Sequence, residues 1–368
     1  MRCLLLFALV RVASALVVGE LRPLHDGRSF GGSFTDLELY NSGGSILQHP
    51  WSLPNPLYSV VVRGLGYGQE QLQDAHYIFL SIILNVAFTA IFVVVSCKVL
   101  APQKRILYAV ALGTHPYLAL YSLKLDTSTF ALLPVGLLTA GALIPPEPKG
   151  TLLVSALSTL LRNALLPMVW LDAIWQRRSI LRGSNMVALG ILAMSSALQM
   201  GYGWGYVGQN YGCYALERVT SWLMNKGWPE SVASFGGYVL TPLIHLLLDL
   251  GAREAVANYC ILLPSSIAKQ VWLHLGATSF FVVVHGWLLW RLLLIVVQNL
   301  SKRPVTIRLL FPLAMLVPTL YGAAHMRYLI PIIPLLMLMG FNLEGFDSLS
   351  QINENTGNSG KQRLVNGE

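Results

Sequence analysis

Long runs of apolar residues alternate along this chain with short polar segments, without the every-second-residue pattern of barrel strands. Most runs are about 16 to 25 residues long, close to the length that a helix needs to cross a bilayer. After a first apolar segment at 3–18, they lie at 77–99, 106–123, 128–145, 150–162, 164–176, 185–204, 274–298, 309–324 and 328–343. Backbone groups in hydrocarbon must bond internally. The pattern therefore predicts an all-α fold, a polytopic membrane helical bundle.

The first apolar segment has two interpretations. Met1-Arg2 followed by apolar residues and Ala13-Ser14-Ala15 resembles a cleavable signal peptide. The alternative is an uncleaved first span that Arg11 interrupts. We favour the retained span, because an N-terminus on the inner side explains the charges of the later loops.

The polar regions define the remaining organisation. Residues 19–75 form a polar region that is too long for a simple connector, since loops of this length usually have a function or are disordered. We predict that it is an outer loop with short interfacial helices. A second outer loop is predicted at 205–235. The region 236–270 fits either two short crossings or a re-entrant segment. We predict one bundle over 1–344 with about ten or eleven transmembrane helices, and a disordered cytoplasmic tail over 345–368.

Composition supports the membrane interpretation. Hydrophobic residues make up 54% of the chain and charged residues 11%, against about 25% charged in soluble domains. The net charge of +8 comes from short Lys/Arg clusters between apolar runs, which is typical of cytoplasmic loops rather than of a nucleic-acid interface. The cysteines show no metal or redox spacing.

The Lys/Arg clusters also predict an orientation. The clusters predicted to be cytoplasmic are Lys104-Arg105, Lys149, Arg177-Arg178-Arg182 and Lys302-Arg303-Arg308. Threading from an inner N-terminus then places the polar residues of chemical interest on the outer face. They lie in loop 19–75, the turn Lys124–Asp126, the break at Arg162-Asn163, loop 205–235 and the segment His325–Tyr328.

An acidic pair directly follows the first apolar segment. Only 17 residues of the chain are acidic, and Asp36 and Glu38 occur together in Thr35-Asp36-Leu37-Glu38-Leu39-Tyr40. Carboxylates near hydrocarbon are costly, so they indicate a functional site. The alternative is a helix N-cap beside a solvated charge. A carboxylate within reach of a hydroxyl suits a general base, and arginine suits a phosphate.

Four short motifs follow one another along the chain. They are Asp36 with Tyr40 and Pro56-Leu57-Tyr58, then Ser122-Leu123-Lys124-Leu125-Asp126, then Arg162, and finally His325-Met326-Arg327-Tyr328-Leu329-Ile330-Pro331. Together they resemble the GT-C superfamily of integral-membrane glycosyltransferases, which use polyprenyl-phosphate sugars, and in particular the protein O-mannosyltransferases and the lipid A aminoarabinose transferases. In that family the motifs correspond to the first outer loop, the second outer loop, a basic residue at an outer helix break and the start of the last core span.

This resemblance implies an inverting transferase whose partners are a lipid-linked sugar donor and a lipid, glycan or protein acceptor. Asp36 would be the catalytic base, with Glu38 and Asp126 as secondary acids. The donor phosphate would bind Arg327, Arg162, His325 and Lys124, with Tyr40, Tyr58 and Tyr328 in support. The chain departs from the family in three ways. Its acidic pair is Asp-x-Glu, Asn163 follows Arg162 where proline is usual, and no soluble domain follows the bundle.

Other functions fit the same pattern. The alternatives are a flippase or transporter of lipid-linked sugars, a polysaccharide polymerase, and a non-catalytic subunit of a membrane complex. Transporters often contain inverted repeats, and we find none. No Asp-x-Asp motif is present, so dependence on a divalent metal (Mg²⁺ or Mn²⁺) stays open. The predicted location is the bacterial plasma membrane or the endoplasmic reticulum.

Overall fold

The structure is a computed structural model, and the residues that it describes are helical or lie in the turns between helices. The described ranges are 1–21, 57–58, 60–61, 75–123, 127–144, 150–176, 183–210, 214–244, 304–316 and 329–341. No strand occurs within these ranges. The prediction of an all-α chain is therefore confirmed for this part of the protein.

The helices follow the predicted apolar runs in order. They are α1 (Arg2–Leu21), α2 (Ala75–Val99), α3 (Pro102–Thr114), α4 (Pro116–Ser122), α5 (Thr127–Leu143), α6 (Thr151–Leu161), α7 (Leu166–Trp175), α8 (Gly183–Asn210), α9 (Tyr214–Asn225), α10 (Glu230–Ile244), α11 (Pro304–Leu310) and α12 (Ile333–Phe341). Short 3-10 helices occupy Asn163–Leu165 and Phe311–Leu316.

One described helix is long and apolar enough to cross a membrane. Residues Ile78–Val99 of α2 contain a window of 18 residues with a mean hydropathy of 2.7, and the 22 residues span about 33 Å as a helix. Three described apolar helices are shorter, at Thr127–Leu143, Thr151–Leu161 and Gly183–Leu198. The crossing of a membrane by several helices therefore stays a prediction.

One predicted span is an interrupted helix, and the break predicted between two others is confirmed. The run predicted at 106–123 begins earlier, at Pro102, and breaks at His115, whose backbone leaves the helical region. The next residue, Pro116, has no N–H to continue the ladder of α3. A second interruption separates α6 from α7 at Arg162, at the predicted helix break. Proline contributes to this interruption as well, because Pro167 has no N–H to donate to the carbonyl of residue 163.

The region predicted as outer loop 205–235 is largely helical. Helix α8 continues to Asn210, and α9 and α10 form a hairpin whose turn contains Gly227 at a φ of 86°. Near the C-terminal end, α12 begins at Ile333 after a turn, rather than at 328. Only the part up to 316 of the run predicted at 309–324 is described, and it is a 3-10 helix from Phe311.

The core is formed where α1, α2, α3 and α5 pack against one another. Helix α1 turns Phe7, Arg11 and Ala15 inward, at the four-residue spacing of one helix face. Close crossings depend on glycine. A Cβ at Gly113 would lie 2.8 Å from Cγ1 of Val10 on α1, and a Cβ at Gly136 would lie 3.2 Å from the side chain of Ile91 on α2. Helix α1 is therefore part of the folded core.

Candidate functional site

The structure describes Arg162 and Tyr58 among the predicted site residues. The other predicted site residues lie outside the described ranges: Asp36, Glu38, Tyr40, Lys124, Asp126, His325, Arg327 and Tyr328. Most of loop 19–75 and the whole tail 345–368 also lie outside them. The geometry of the site is therefore built from Arg162, Tyr58 and the side chains that they contact.

Arg162 occupies the interruption between α6 and the following 3-10 helix. Its backbone is extended, with φ −148° and ψ 106°. Its N–H still donates to the Ser158 carbonyl at 2.9 Å, and its own carbonyl accepts from the Leu165 N–H at 3.1 Å. The residue thus ends one helix and begins the next without losing its backbone hydrogen bonds. Its side chain is buried, at 3% exposure.

The guanidinium of Arg162 reaches the start of α5. Its Nη1 donates a hydrogen bond to the hydroxyl of Thr127, the first residue of that helix. Thr127 directly follows the segment Lys124–Asp126 in the sequence. Five polar regions were predicted at the outer face. The break at Arg162, which is one of them, contacts the residue that directly follows another, the turn Lys124–Asp126.

Tyr58 contacts the same turn of α5. Its buried ring packs edge-on against the ring of Phe130, with 6.1 Å between the centroids. The Phe130 ring in turn packs against Phe88 on α2, also at 6.1 Å. Thr127 and Phe130 are three residues apart, so they share one face of the helix. Tyr58 and Arg162, which are distant in the sequence, both contact the first turn of α5.

This turn lies at the same end of the bundle as the C-terminal end of α1. Ala15 of α1, Ile82 of α2 and Leu123, just after α4, pack in one small cluster. Only three residues separate Leu123 from Thr127, which limits the distance between them to about 14 Å. Cys3 and Cys97 lie together near the other ends of α1 and α2. Helix α1 therefore ends at the end of the bundle that holds Arg162.

The first turn of α5 combines two features that attract an anion. A helix N-terminus presents backbone N–H groups and the positive end of the helix dipole, and α5 is 17 residues long. The Arg162 guanidinium donates to Thr127 at that end. The side chains of Thr127, Ser128 and Thr129 are all buried there. The guanidinium and the helix N-terminus would both favour a phosphate or carboxylate bound near this turn.

A buried ion pair between α7 and α11 was missed by the sequence analysis. Nε of Arg308 donates to Oδ1 of Asp172 at 2.7 Å, and both side chains are almost fully buried. Asp172 also accepts a hydrogen bond from Nε2 of Gln176 at 2.9 Å. Arg308 was predicted to belong to a cytoplasmic cluster. Its guanidinium is buried, and the side of the membrane on which it lies stays a prediction. An acid within an apolar run needs a partner, and Asp172 was the signal available in the sequence.

The described ranges contain no group of three His, Cys, Asp or Glu side chains that could hold a metal ion. The acids predicted for the site lie outside those ranges. The expectation about Mg²⁺ or Mn²⁺ is therefore not tested by the structure.

Comparison of the chain with protein-family models, with curated proteins and with solved structures returns no match.

Proposed function

We propose that this protein is a multi-pass membrane glycosyltransferase that moves a sugar from a polyprenyl-phosphate donor to an acceptor on the outer or lumenal face. The observation that carries the proposal is the contact between Arg162 and the first turn of α5. It joins a buried permanent cation to a helix N-terminus, and Arg162 is one of the residues that the GT-C resemblance assigns to the donor phosphate.

The phosphate fits this turn for energetic reasons. A guanidinium and a helix N-terminus each favour a bound anion. A donor phosphate at this turn would gain from both, and its hydrogen bonds would strengthen as the phosphate gains negative charge on leaving. Arginine binds phosphate with two parallel N–H groups and stays charged at every physiological pH. The turn would therefore stabilise the transition state more than the bound donor.

The reaction would proceed by a single displacement. Asp36 accepts the proton of the acceptor hydroxyl, and the acceptor oxygen forms a bond to the anomeric carbon of the sugar. The bond from that carbon to the phosphate oxygen breaks with inversion, and polyprenyl phosphate leaves with the bonding electrons. Arg162, together with Arg327, His325 and Lys124, would offset its charge. Glu38 and Asp126 would be secondary acids.

Binding of polyprenyl phosphate to the purified protein in detergent tests the donor site. Loss of a charged hydrogen bond costs about 1.5–3 kcal/mol, so Arg162→Ala should weaken binding roughly 10- to 100-fold. Arg162→Lys should recover only part of this loss, because lysine lacks the planar fork. Arg105→Ala is the matched control. Its guanidinium donates to the Leu100 carbonyl at the other end of the bundle and should not affect binding.

Asp126 provides the competing explanation for the same geometry, because its carboxylate precedes Thr127 in the sequence. If Asp126 is the anion that neutralises Arg162, Asp126→Asn and Arg162→Ala should lower the melting temperature similarly. Polyprenyl phosphate would then bind equally well to both variants and to the unchanged protein. That result would remove Arg162 from the donor site.

A transporter of lipid-linked sugars is the second candidate, and the interrupted helices favour it. Secondary transporters often bind their substrates where membrane helices are broken. Here α3 and α4 are separated at His115, and α6 and α7 at Arg162. A transporter would move a polyprenyl-phosphate sugar between leaflets of a liposome and leave the sugar–phosphate bond intact, whereas a transferase would break that bond.

A further inference from the structure

We infer that Arg11 supplies the hydrogen bond that Pro116 removes from α3, and that this bond makes residues 2–21 a permanent part of the folded core. The inference depends only on the packing of α1, α2 and α3. It would stand or fall independently of the proposed transferase activity.

The interruption after α3 leaves a backbone carbonyl in need of a donor. In a continuous helix the N–H of residue 116 would bond to the carbonyl of Leu112, four residues earlier. Residue 116 is proline and has no N–H. The helix ends at Thr114, and His115 takes a non-helical conformation. Leu112 is fully buried in the core, where an unbonded carbonyl is costly.

Arg11 reaches this carbonyl from α1. Its Nη2 donates to the Leu112 carbonyl, and its Nη1 lies 3.5 Å from Oδ1 of Asn85 on α2. The guanidinium also lies over the ring of Phe7, 5.6 Å from its centroid. The side chain of Arg11 has no solvent exposure. Its hydrogen-bond acceptors within the described ranges are the neutral oxygens of Leu112 and Asn85.

Glycine at position 113 allows the two helices to come close enough. A Cβ there would lie 2.8 Å from Cγ1 of Val10, a separation that real side chains do not tolerate. Val10 precedes Arg11, and Gly113 follows Leu112. The close approach and the hydrogen bond are therefore made by neighbouring residues on both helices, where α1 crosses α3.

The role of Arg11 separates the two interpretations of the first apolar segment. A cleaved signal peptide would carry Arg11 away and leave the Leu112 carbonyl without this donor. A retained span explains why a charged residue stands in the middle of an apolar helix. It bonds to a carbonyl that proline has left open, which is how broken membrane helices satisfy their backbone.

A double-substitution cycle tests the inference on the full chain. Pro116→Ala restores an N–H to residue 116, so the Leu112 carbonyl gains a second possible donor. We expect Arg11→Leu to lower the melting temperature in detergent by several degrees, and to lower it clearly less in the Pro116→Ala background. Arg105→Leu is the control, because it also removes an arginine-to-carbonyl bond, at Leu100. Its effect should add to that of Pro116→Ala without coupling.

Two further readouts keep the test decisive. If Arg11→Leu protein does not accumulate, Pro116→Ala in the same chain should restore accumulation. Failure to restore it, or purely additive melting temperatures, would overturn the role of Arg11. The intact mass of the purified protein should include residues 2–21. A stable, monodisperse protein that begins after Ala15 would overturn the retention of α1.

Discussion

Four charged residues are buried among the described helices, and their partners explain how the protein tolerates them. Arg11, Arg162, Asp172 and Arg308 are all almost fully buried, and each has a polar partner on another helix. Charges in a low dielectric are tolerated only when they are paired or hydrogen-bonded. The partners differ in kind. Asp172 and Arg308 form an ion pair, Arg11 donates to the Leu112 carbonyl, and Arg162 donates to the Thr127 hydroxyl.

The pair of Asp172 and Arg308 gives a stability prediction. Asp172→Asn or Arg308→Gln alone should destabilise the protein strongly, by about 3–5 kcal/mol, because each leaves a buried charge without its partner. The double substitution Asp172→Leu with Arg308→Met should be less harmful than either single change, because it removes both charges. Thermal unfolding in detergent measures this. A double variant less stable than both single variants would contradict the ion-pair account.

Single residues also show what the sequence could reveal. Arg162 was predicted at a helix break, and it lies at one. The break was predictable because the sequence shows a charged residue followed by Asn163 within an apolar run. Its contact with Thr127 was not predictable, since it depends on how α5 and α6 pack. The pairing of Arg308 with Asp172 was not predictable for a related reason. Counting charges along the chain does not detect a partner that lies 136 positions away.

At the scale of helices, prolines and glycines decide where the elements end and how closely they pack. The apolar runs predicted helices well, and the boundaries moved where proline intervened, as at Pro102, Pro116 and Pro167.

The contact between α1 and α3 gives the prediction at this scale. Gly113→Ala should destabilise the protein by about 1–3 kcal/mol, because its methyl group overlaps Val10 and pushes Arg11 away from Leu112. Gly190→Ala on α8 is the matched control. No atom lies within 4 Å of its added methyl group, so the helix should be unchanged or slightly more stable. Equal melting temperatures for the two variants would contradict the close crossing.

At the scale of the whole molecule, the described helices bring distant polar segments to one end of the bundle. Tyr58, Arg162 and the start of α5 meet there, and α1 ends nearby. Charge and topology predicted that the polar segments share the outer face of the membrane, and the face on which they lie stays a prediction. The sequence did not predict which helix would organise the site, because the first turn of α5 contains no charged residue of its own. Asp36 and Arg327 remain proposed members of the site.

Transfer of sugar in proteoliposomes is the most direct test of this account. The purified chain would be given radiolabelled polyprenyl-phosphate hexoses and pentoses in native lipid extract, and cleavage of the sugar–phosphate bond would be followed. We expect transfer that Asp36→Asn reduces about 10²- to 10⁴-fold, the usual contribution of a positioned general base. Glu38→Gln, two residues away, should reduce it less. Near-normal transfer by Asp36→Asn, or donor that crosses the bilayer with its sugar–phosphate bond intact, would contradict the proposed transferase.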